Sequence, residues 1–572
     1  MHKIRIFLLS AVAILAGLIA FGLGSRPQVE SVTSTDFSAE RVVKDIKTIS
    51  RHHHSVAHPE ERSEVREYLA TRLRELGADT IQVFEYKSLT GPENKHVSYT
   101  FDATNLLATF APEQATEGEA TYLLMVAHYD SRYSQPMAKG DTVWSYGAAD
   151  DGYGIGVILE TVNQALKHRD TWRQGIKILF TDAEEVGMKG MKAIWEKNRE
   201  EFDNVGFMIN LEARGPYGPA LLFETSPGNE KIMELYKEAE YPFTYSLTTV
   251  VYTFMPNFTD FTIVKDEIPG MNFSTIADIN HYHTDLDNFS NINPKSIQHY
   301  GSQVIPVVHK YLTEEKFSDI NSLKSNADTI NFTIPLLGLF NFSKREYILL
   351  NIIIFLLVIA TMTIEILRGR VQAKNILCKA GKTLLVAVGA IAIGELIALL
   401  CSLATGVTFK PFGIVQGITF DNAAMSISVI ATAIVAAGIH LRQRNKAMSY
   451  VANALRINAK SPAAMTNAAN NLYGTLLLMT VLSVLLLSFI NENLMFFIPL
   501  SISIIAMVLY RITKAKIFII AAIALILLHA FSFLHALAMA LTIGAFGAVL
   551  MLALLDLLII IPLADIYLTK KA

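Results

Sequence analysis

The order of apolar and polar residues changes character near residue 346. Before that point, short apolar runs alternate with longer segments in which apolar residues recur every three or four positions. After it, long apolar stretches follow one another with few charges between them. The first pattern predicts strands that alternate with helices. The second predicts helices that are long and apolar enough to cross a membrane.

Three apolar runs in the first part end in polar residues. They are "TYLLMVAHYD", "KILFTDAEEV" and "GFMINLEARG", and each has the composition of a buried strand. Between them, "DDGYGIGVILETVNQALKH" has helical periodicity, as has "EERSEVREYLATRLRELGAD" further upstream. We therefore predict an α/β fold in which a mixed sheet is flanked by helices. In such open sheets the ligand site lies beyond the carboxyl ends of the strands.

The apolar stretches predict a membrane anchor and a polytopic tail. Basic residues precede the first stretch and no clear cleavage site follows it, which indicates an uncleaved anchor over residues 1–24. A soluble domain then covers 25–345, and an all-α transmembrane domain of about seven helices covers 346–572. The predicted spans of this domain are 347–367, 383–403, 423–441, 472–490, 494–510, 517–534 and 543–567.

Charge indicates how the chain would be oriented in a membrane. The first 346 residues hold 33 Lys and Arg against 46 Asp and Glu, whereas the rest hold 16 against 6. Lys3, Arg5 and the basic loops of the tail predict cytoplasmic termini and an extracytoplasmic soluble domain. Both cysteines, Cys378 and Cys401, lie in the second part, and the cysteine-free soluble domain favours a bacterial inner membrane with this domain in the periplasm. We expect contact with a lipid bilayer and no nucleic acid partner.

Residues of metal-binding type follow the predicted strands. Imidazoles and carboxylates are zinc ligands, and two metal ions in one site need a bridging carboxylate with terminal ligands on each side. The candidates are His128, Asp150, Glu185, Glu212 and His283. They supply one candidate bridge and two terminal ligands for each ion. Glu184, next to a ligand but not needed as one, would carry a proton from water to a leaving amine.

The order and spacing of five short motifs resemble a known family. "AHYDS", "GAADDGYG", "TDAEEVG", "NLEARG" and "HYHTDLDN" are similar to the co-catalytic zinc exopeptidases, family 28 of the clan MH peptidases, which includes bacterial leucyl aminopeptidase and glutamate carboxypeptidase. With its polytopic tail, the chain resembles the membrane-embedded branch typified by the endoplasmic reticulum metallopeptidase. The resemblance implies a zinc aminopeptidase-like, phosphorylase/hydrolase-like fold and an aminopeptidase that removes N-terminal residues from peptides.

The same resemblance assigns roles to individual residues. It implies two Zn²⁺ per chain, one held by His128, Asp150 and Glu212 and the other by Asp150, Glu185 and His283. It further implies the catalytic set Glu184, Asp130 and Tyr282, in which Asp130 orients the histidine ligand and Tyr282 stabilises the oxyanion.

Two residues depart from the family pattern. Many relatives carry an aspartate at the position of Glu212, and a small residue is usual at the position of Tyr153. The longer arm of Glu212 would shift the metal that it binds, and the ring of Tyr153 would change the shape of the pocket.

Other functions stay open at this point. A glutaminyl cyclase would use one zinc and form a ring without water, and a non-catalytic relative would have lost ligands, none of which is missing here. A membrane protein with an accessory peptidase-like domain is a further alternative, to which Glu395 and Asp556 inside predicted spans would point. The oligomeric state is open, with a homodimer as one option.

Two further features have no settled role. Arg214 would bind a substrate carboxylate or pair with the acidic site. The histidine-rich segment 51–61 is expected on the surface, away from the strand ends.

Overall fold

The chain is described by a computed structural model over residues 2–20, 27–91, 100–113, 120–136, 142–253, 258–411 and 462–568. It divides into two compact units. The sheet unit comprises residues 25–333 and 337–344, and the helical unit comprises residues 1–24, 334–336 and 345–572.

A seven-stranded mixed sheet forms the centre of the sheet unit. Its order is β1-β2-β6-β3-β7-β9-β8. The four central strands β6, β3, β7 and β9 are parallel, and the outer strands β1, β2 and β8 pair antiparallel. This confirms the predicted mixed sheet. The strands are β1 (Thr80–Thr90), β2 (Thr100–Phe110), β3 (Tyr122–His128), β4 (Gln135–Pro136), β5 (Thr142–Val143), β6 (Gly175–Thr181), β7 (Val205–Ala213), β8 (Leu221–Thr225), β9 (Gly270–Thr275), β10 (Thr329–Ile334) and β11 (Gly338–Ser343).

The central strands are buried on both faces. In β3, Leu123 and Met125 belong to one hydrophobic cluster, whereas Leu124 and Val126 belong to another on the opposite face. Helices cover both faces, which explains why these strands are continuously apolar rather than alternating. Up to the end of the sheet unit, the helices are α1 (His2–Leu18), α2 (Ala39–Ile49), α3 (Pro59–Glu75), α4 (Gly152–Ala165), α5 (Lys189–Lys197), α6 (Glu230–Tyr236), α7 (Ser246–Thr253), α8 (Phe261–Val264) and α9 (Pro294–Thr313).

The start of α4 depends on glycine. Asp151 caps this helix, and its Oδ1 accepts a hydrogen bond from the Gly154 amide at 3.0 Å. A Cβ at Gly154 would lie 2.4 Å from Asp151 Oδ2, so only glycine leaves room for the cap. Residues Gly152 to Val162 are all buried, which makes α4 the central helix on its face of the sheet.

Parallel register brings the carboxyl ends of the central strands to one edge. His128 at the end of β3 is opposite Thr181 of β6, and Glu212 near the end of β7 is opposite Ser274 of β9. Loops that follow these strands therefore meet at this edge, as expected for an open α/β sheet.

Among its described residues, the helical unit contains five apolar helical segments of sufficient length to span a membrane. The described helices after α9 are α10 (Lys344–Leu367), α11 (Ala373–Thr405), α12 (Pro462–Ile490), α13 (Leu494–Thr513), α14 (Ile517–Leu541) and α15 (Phe546–Leu568). A short 3-10 turn over Thr542–Ala545 joins α14 and α15, so that they form one segment of 52 residues by hydropathy. The predicted span 423–441 lies outside the described residues, and the predicted total of about seven helices stays a prediction.

Close backbone contact and polar pairs hold the described helices of this unit together. A Cβ at Gly394 of α11 would lie 2.4 Å from Gly547 Cα of α15, a close approach that small residues permit. At the same crossing, the Gly547 amide donates to Glu395 Oε1 at 3.2 Å. Glu365 pairs with Arg511 at 2.8 Å. Asp556, the other predicted acid of the spans, is buried on α15.

Candidate metal centre

The end of β3 supplies the first imidazole and an anchor for the neighbouring loop. His128 is buried, and its Nδ1 lies 2.9 Å from the backbone oxygen of Asp130, which leaves Nε2 directed at Asp150 and Glu212. The Asp130 carboxylate accepts hydrogen bonds from the amides of Glu184 at 2.9 Å and Glu185 at 3.2 Å. Asp130 therefore fixes both the histidine and the glutamate pair.

Asp150 lies between the two histidines. Its Oδ1 is 3.2 Å from His128 Nε2, and its Oδ2 is 3.3 Å from His283 Nε2. Asp287 holds the backbone here, because its carboxylate accepts from the amides of Ala149 at 2.7 Å and Asp150 at 3.3 Å. Asp287 thus fixes the backbone of the residue whose carboxylate faces both imidazoles, and a bridging ligand requires such a fixed position.

The loops that carry the remaining residues include two strained positions. Ala183, just before the glutamate pair, has φ 59°, and His283 has φ 60°, although neither is glycine. Such conformations cost roughly 1–3 kcal/mol and cluster at functional sites. Glu185 Oε2 lies 3.1 Å from His283 Nε2. Tyr282 stacks on the His283 ring with centroids 3.5 Å apart.

Glu212 is held by a chain of buried polar groups. Its Oε1 accepts from Asn210 Nδ2 at 3.1 Å, and the same nitrogen donates to Asn272 Oδ1 at 3.0 Å. Asn272 Nδ2 donates to Glu224 Oε2 at 3.1 Å, and Glu224 pairs with Lys265 at 2.5 Å. This series of hydrogen bonds orients Glu212 toward His128, whose Nε2 lies 3.7 Å from Glu212 Oε2.

The five predicted ligands form two triads that share one residue. His128, Asp150 and Glu212 make the first, and Asp150, Glu185 and His283 make the second. In each triad the candidate ligand atoms lie within 4.8 Å of one another. One nitrogen and two carboxylates with an open fourth position is a donor set that zinc accepts in catalytic sites.

The electrostatics of the cluster also fit bound dications. Burial raises the pKa of Glu212 to about 8 and raises the pKa of Glu184 well above its usual value. Burial opposes ionisation of Glu185 as well, but His283 and Arg132 lower its pKa. Glu185 Oε1 is buried and has no hydrogen-bond partner among the described residues. A dication would compensate the gathered carboxylates and occupy such lone pairs.

Arg132 is a residue of the site that the sequence analysis missed. Its Nη1 donates to the Glu185 backbone oxygen at 2.9 Å and to Glu185 Oε2 at 3.0 Å. The guanidinium thereby holds the same oxygen that faces His283. An arginine four residues after a histidine ligand gave no signal by itself, because the contact is made across 53 residues of chain.

The histidine-rich segment was predicted away from the strand ends, and this prediction was wrong. His54 is buried, and its amide donates to Ser131 Oγ at 3.1 Å, directly after Asp130. His53 packs on Tyr146 with ring centroids 4.1 Å apart. The hydrogen bond between His54 and Ser131 holds the segment against the loop after β3, and composition alone does not predict this contact.

The two departures from the family pattern have different outcomes. Glu212 reaches His128 within the first triad. Tyr153 is fully buried, its hydroxyl donates to the Pro216 oxygen at 2.9 Å, and it accepts from the Asn293 amide at 2.6 Å. The hydroxyl therefore links α4 to the start of α9.

We expect Tyr300→Phe to weaken metal binding. The buried Tyr300 hydroxyl accepts from the Thr275 amide at 2.7 Å and donates to the Glu212 backbone oxygen. Its removal leaves both groups unsatisfied, at a cost of about 1–3 kcal/mol, and loosens Glu212, so that zinc affinity falls roughly 10-fold or more. Titration against a fluorescent zinc chelator, alongside urea unfolding, measures both effects.

Tyr311→Phe is the matched control for this change. Tyr311 lies on the same helix, is equally buried, and donates to the Tyr122 oxygen at 3.3 Å, at the start of β3 and far from the triads. It should lower the free energy of unfolding without altering zinc affinity. Equal zinc affinity in both variants and the parent would show that Tyr300 does not position Glu212.

Comparison with known proteins adds independent support for the resemblance. Residues 105–308 match the family described as Peptidase family M28. A vacuolar membrane protease of Candida dubliniensis is 27% identical over 283 residues, covering 48% of this chain and 28% of that protein. Endoplasmic reticulum metallopeptidase 1 of Mus musculus is 25% identical over 288 residues, covering 49% and 30%. The chain thus spans about a third of the length of these curated relatives.

Solved structures of low identity align with about half of the chain. A Porphyromonas gingivalis glutaminyl cyclase aligns at a TM-score of 0.39 and 19% identity, covering 48% of this chain and 99% of that one. BSAP, a zinc aminopeptidase from Bacillus subtilis, aligns at 0.38 and 13%, covering 51% and 99%.

The matched residues run from β2 into α9 and include all five residues of the two triads. The resemblance inferred from the motifs is therefore confirmed by the family match. The chain contains, over residues 105–308, a domain of peptidase family M28.

Proposed function

We propose that the sheet unit is a di-zinc metalloexopeptidase, and that it acts as an aminopeptidase on the N-terminal residues of peptides. The observation that carries the proposal is the pair of triads that share Asp150. A single-metal site would need only one triad, and a structural site would close its coordination with a fourth protein ligand. The family match and the metallopeptidase relatives support the same reading.

In the proposed mechanism, zinc ions bound by the triads would polarise the scissile carbonyl and lower the pKa of the attacking water. Glu184 belongs to neither triad, and Asp130 holds its backbone beside them. Its carboxylate takes the proton of the attacking water and delivers it to the leaving amine. Asp130 also keeps His128 in a fixed tautomer through the contacts at Nδ1.

Tyr282 is proposed to stabilise the charge that develops on the carbonyl oxygen. It is partly buried, and its ring lies against His283. A hydroxyl donor placed there would favour the oxyanion over the planar carbonyl, which is the kind of difference that accelerates acyl transfer.

Aminopeptidase action is favoured by the charge around the site. Four carboxylates, those of Asp150, Glu184, Glu185 and Glu212, surround the reacting position. Bound zinc would offset the carboxylates of the triads, so the attraction for a free α-ammonium group would come from Glu184, which belongs to neither triad. Peptides are accordingly the proposed substrates.

The proposal is tested on the full-length chain purified in detergent. We expect two zinc ions per chain by elemental analysis, and release of the amine from neutral aminoacyl-naphthylamides that stops on treatment with a chelator. One zinc per chain together with cyclisation of N-terminal glutaminyl peptides would instead identify a glutaminyl cyclase. If the chain turned over neither the aminoacyl-naphthylamides nor the glutaminyl peptides, the result would favour a non-catalytic protein.

We also propose that the sheet unit lies on the extracytoplasmic side of a membrane, with both termini in the cytoplasm. The apolar helices and the basic loops between the predicted spans support this orientation. The curated relatives are named for vacuolar and endoplasmic reticulum membranes, and a bacterial inner membrane stays our proposal for this chain. Cys378, exposed near the start of α11, should react with an impermeant maleimide only from the cytoplasmic side.

A further inference from the structure

A partly buried cation with no acidic partner among the described residues lies beside the metal centre. Arg214 follows Glu212 by two residues, and its amide is fixed by the Thr275 oxygen at 2.9 Å and by Ser274 Oγ at 3.1 Å. Its Nε is buried with no hydrogen-bond partner among the described residues. Among these described residues, no carboxylate lies within ion-pair distance of the Arg214 guanidinium. The sequence left open a salt bridge between Arg214 and the acidic site, and the structure does not form one.

The guanidinium is placed against the second triad by an aromatic ring. Arg214 Cζ lies 5.9 Å from the centroid of the Tyr282 ring, and that ring stacks on His283. The Tyr282 ring therefore contacts both Arg214 and His283 of the second triad. Arg214 also follows Glu212 of the first triad by two residues. Any group bound by Arg214 would adjoin the position of the scissile carbonyl.

Tyr252 is a second donor without a partner at the same place. Thr248 and Thr249 anchor α7 on the Phe223 oxygen at 3.3 and 2.9 Å, and the Tyr252 ring packs on Phe223 with centroids 4.9 Å apart. The Tyr252 hydroxyl is buried and has no hydrogen-bond partner in the described part of the chain. The hydroxyl interacts electrostatically with Glu224, Glu212 and Glu184 and also with Arg214, so it lies near the same site.

A buried charge without a partner is costly, and a fold retains one where a ligand completes it. The planar fork of arginine matches the two oxygens of a carboxylate, and a tyrosine hydroxyl adds a third donor. We propose that Arg214 and Tyr252 form a carboxylate-binding subsite, and that the enzyme selects substrates with a carboxylate next to the scissile bond. This inference rests on the proposed exopeptidase function. The carboxylate would come from an acidic N-terminal side chain or from the C-terminus of a dipeptide.

Two substrate pairs distinguish these sources in the zinc-loaded full-length chain. Glutamyl- and glutaminyl-p-nitroanilide differ only in the side-chain carboxylate, whereas alanyl-alanine and its amide differ only in the C-terminal one. We expect the acid to be preferred in one pair, with kcat/KM roughly 10- to 100-fold higher than for its neutral partner. Arg214→Gln should abolish this preference, so that kcat/KM for the acid falls to that of its neutral partner in the same variant. Arg214→Lys should keep part of it, and Tyr252→Phe should reduce it several-fold.

Arg173→Gln is the control substitution, because Arg173 is exposed and pairs with Glu315 just before β6, at the opposite end of that strand from the site. It should leave both preferences unchanged. Equal rates within both pairs for the unmodified chain would overturn the inference while leaving the exopeptidase intact. Equal losses for acid and neutral substrates in Arg214→Gln would show a structural role for Arg214, which also overturns it.

A binding measurement keeps the inference testable without turnover. Calorimetric titration of glutamyl-alanine amide, glutaminyl-alanine amide, alanyl-alanine and alanyl-alanine amide into zinc-loaded Glu184→Gln chain gives the Kd of each. We expect at least 10-fold tighter binding of the acid in one pair, and no such difference when Arg214→Gln is added. Selective binding without any hydrolysis by the parent chain would refute the exopeptidase and support the subsite. Equal Kd values within both pairs would refute the subsite.

Discussion

Glu184→Gln should lower kcat by about 10²- to 10⁴-fold and leave the zinc content of the full-length chain unchanged. The glutamine side chain has the same shape but does not accept the proton of water. The hydrogen bond from the residue 184 amide to Asp130 is a backbone contact and is retained. Because Glu184 is in neither triad, its replacement removes no ligand. Stopped-flow turnover together with elemental analysis of the same sample measures both quantities.

Glu185→Gln, one residue further on, supplies the matched comparison. The chemical change is identical, but Glu185 Oε2 faces His283 Nε2 at 3.1 Å and belongs to the second triad. We expect this variant to lose one zinc ion per chain as well as activity. Normal turnover by Glu184→Gln would remove Glu184 from the proton transfer. Zinc loss from both variants would mean that the two glutamates share the role of ligand.

Three of the five predicted ligands could be located from local patterns, whereas Asp150 and His283 were named from the motifs that resemble the family. His128, Glu185 and Glu212 follow apolar runs that could only be buried strands, and parallel strands bring their carboxyl ends to one edge. The order of the motifs then suggested which residues meet. The positions of the strands and the parallel topology were sufficient to predict which residues lie near one another at this edge.

The groups that hold the ligands in place were less accessible from sequence. Tyr300 bonds to the Glu212 backbone across 88 residues, and Arg132 reaches Glu185 across 53. Asp287 lies in the last motif, but its bonds to the Ala149 and Asp150 amides appear only in the folded chain. Polar residues of this kind have no periodicity, so a single sequence does not separate them from surface polar residues.

The helical unit shows a similar limit. Hydropathy located α10, α13 and the C-terminal segment, but the predicted span 383–403 is the centre of a 33-residue helix, Ala373–Thr405. The break between α14 and α15 depends on Thr542, whose φ of 56° ends the helix. The spans predicted at 517–534 and 543–567 anticipated two helices here, but an apolar run does not mark the residue at which the turn occurs, and α14 extends seven residues beyond the first predicted span.

Asp150→Asn should remove both zinc ions at once. Oδ1 faces His128 at 3.2 Å and Oδ2 faces His283 at 3.3 Å, so one residue serves both triads. An amide is neutral and offers one acceptor oxygen, so each ion would lose charge compensation and one would lose a ligand atom. We expect zinc affinity to fall roughly 100-fold or more at both sites, with turnover below detection. Competition with a chelator of known affinity measures the two constants.

Thermal unfolding provides a second measure of the same change. A ligand that binds only the folded chain stabilises it by an amount that grows with the ratio of ligand concentration to Kd. The parent chain should therefore gain about 3–4 kcal/mol per zinc ion, and about twice that for two ions, at zinc concentrations of 100 to 1,000 times Kd. Asp150→Asn should gain little at the same zinc concentrations.

Asp151→Asn separates this effect from damage to the fold. Asp151 is the next residue and is equally buried, but it caps α4 through the Gly154 amide and is in neither triad. Asparagine caps helices about as well as aspartate, so this variant should keep both zinc ions and respond to zinc as the parent does. If Asp150→Asn bound two ions with parental affinity, or if Asp151→Asn lost them equally, the bridging carboxylate would be another residue. The two triads would then not describe how the metals are held.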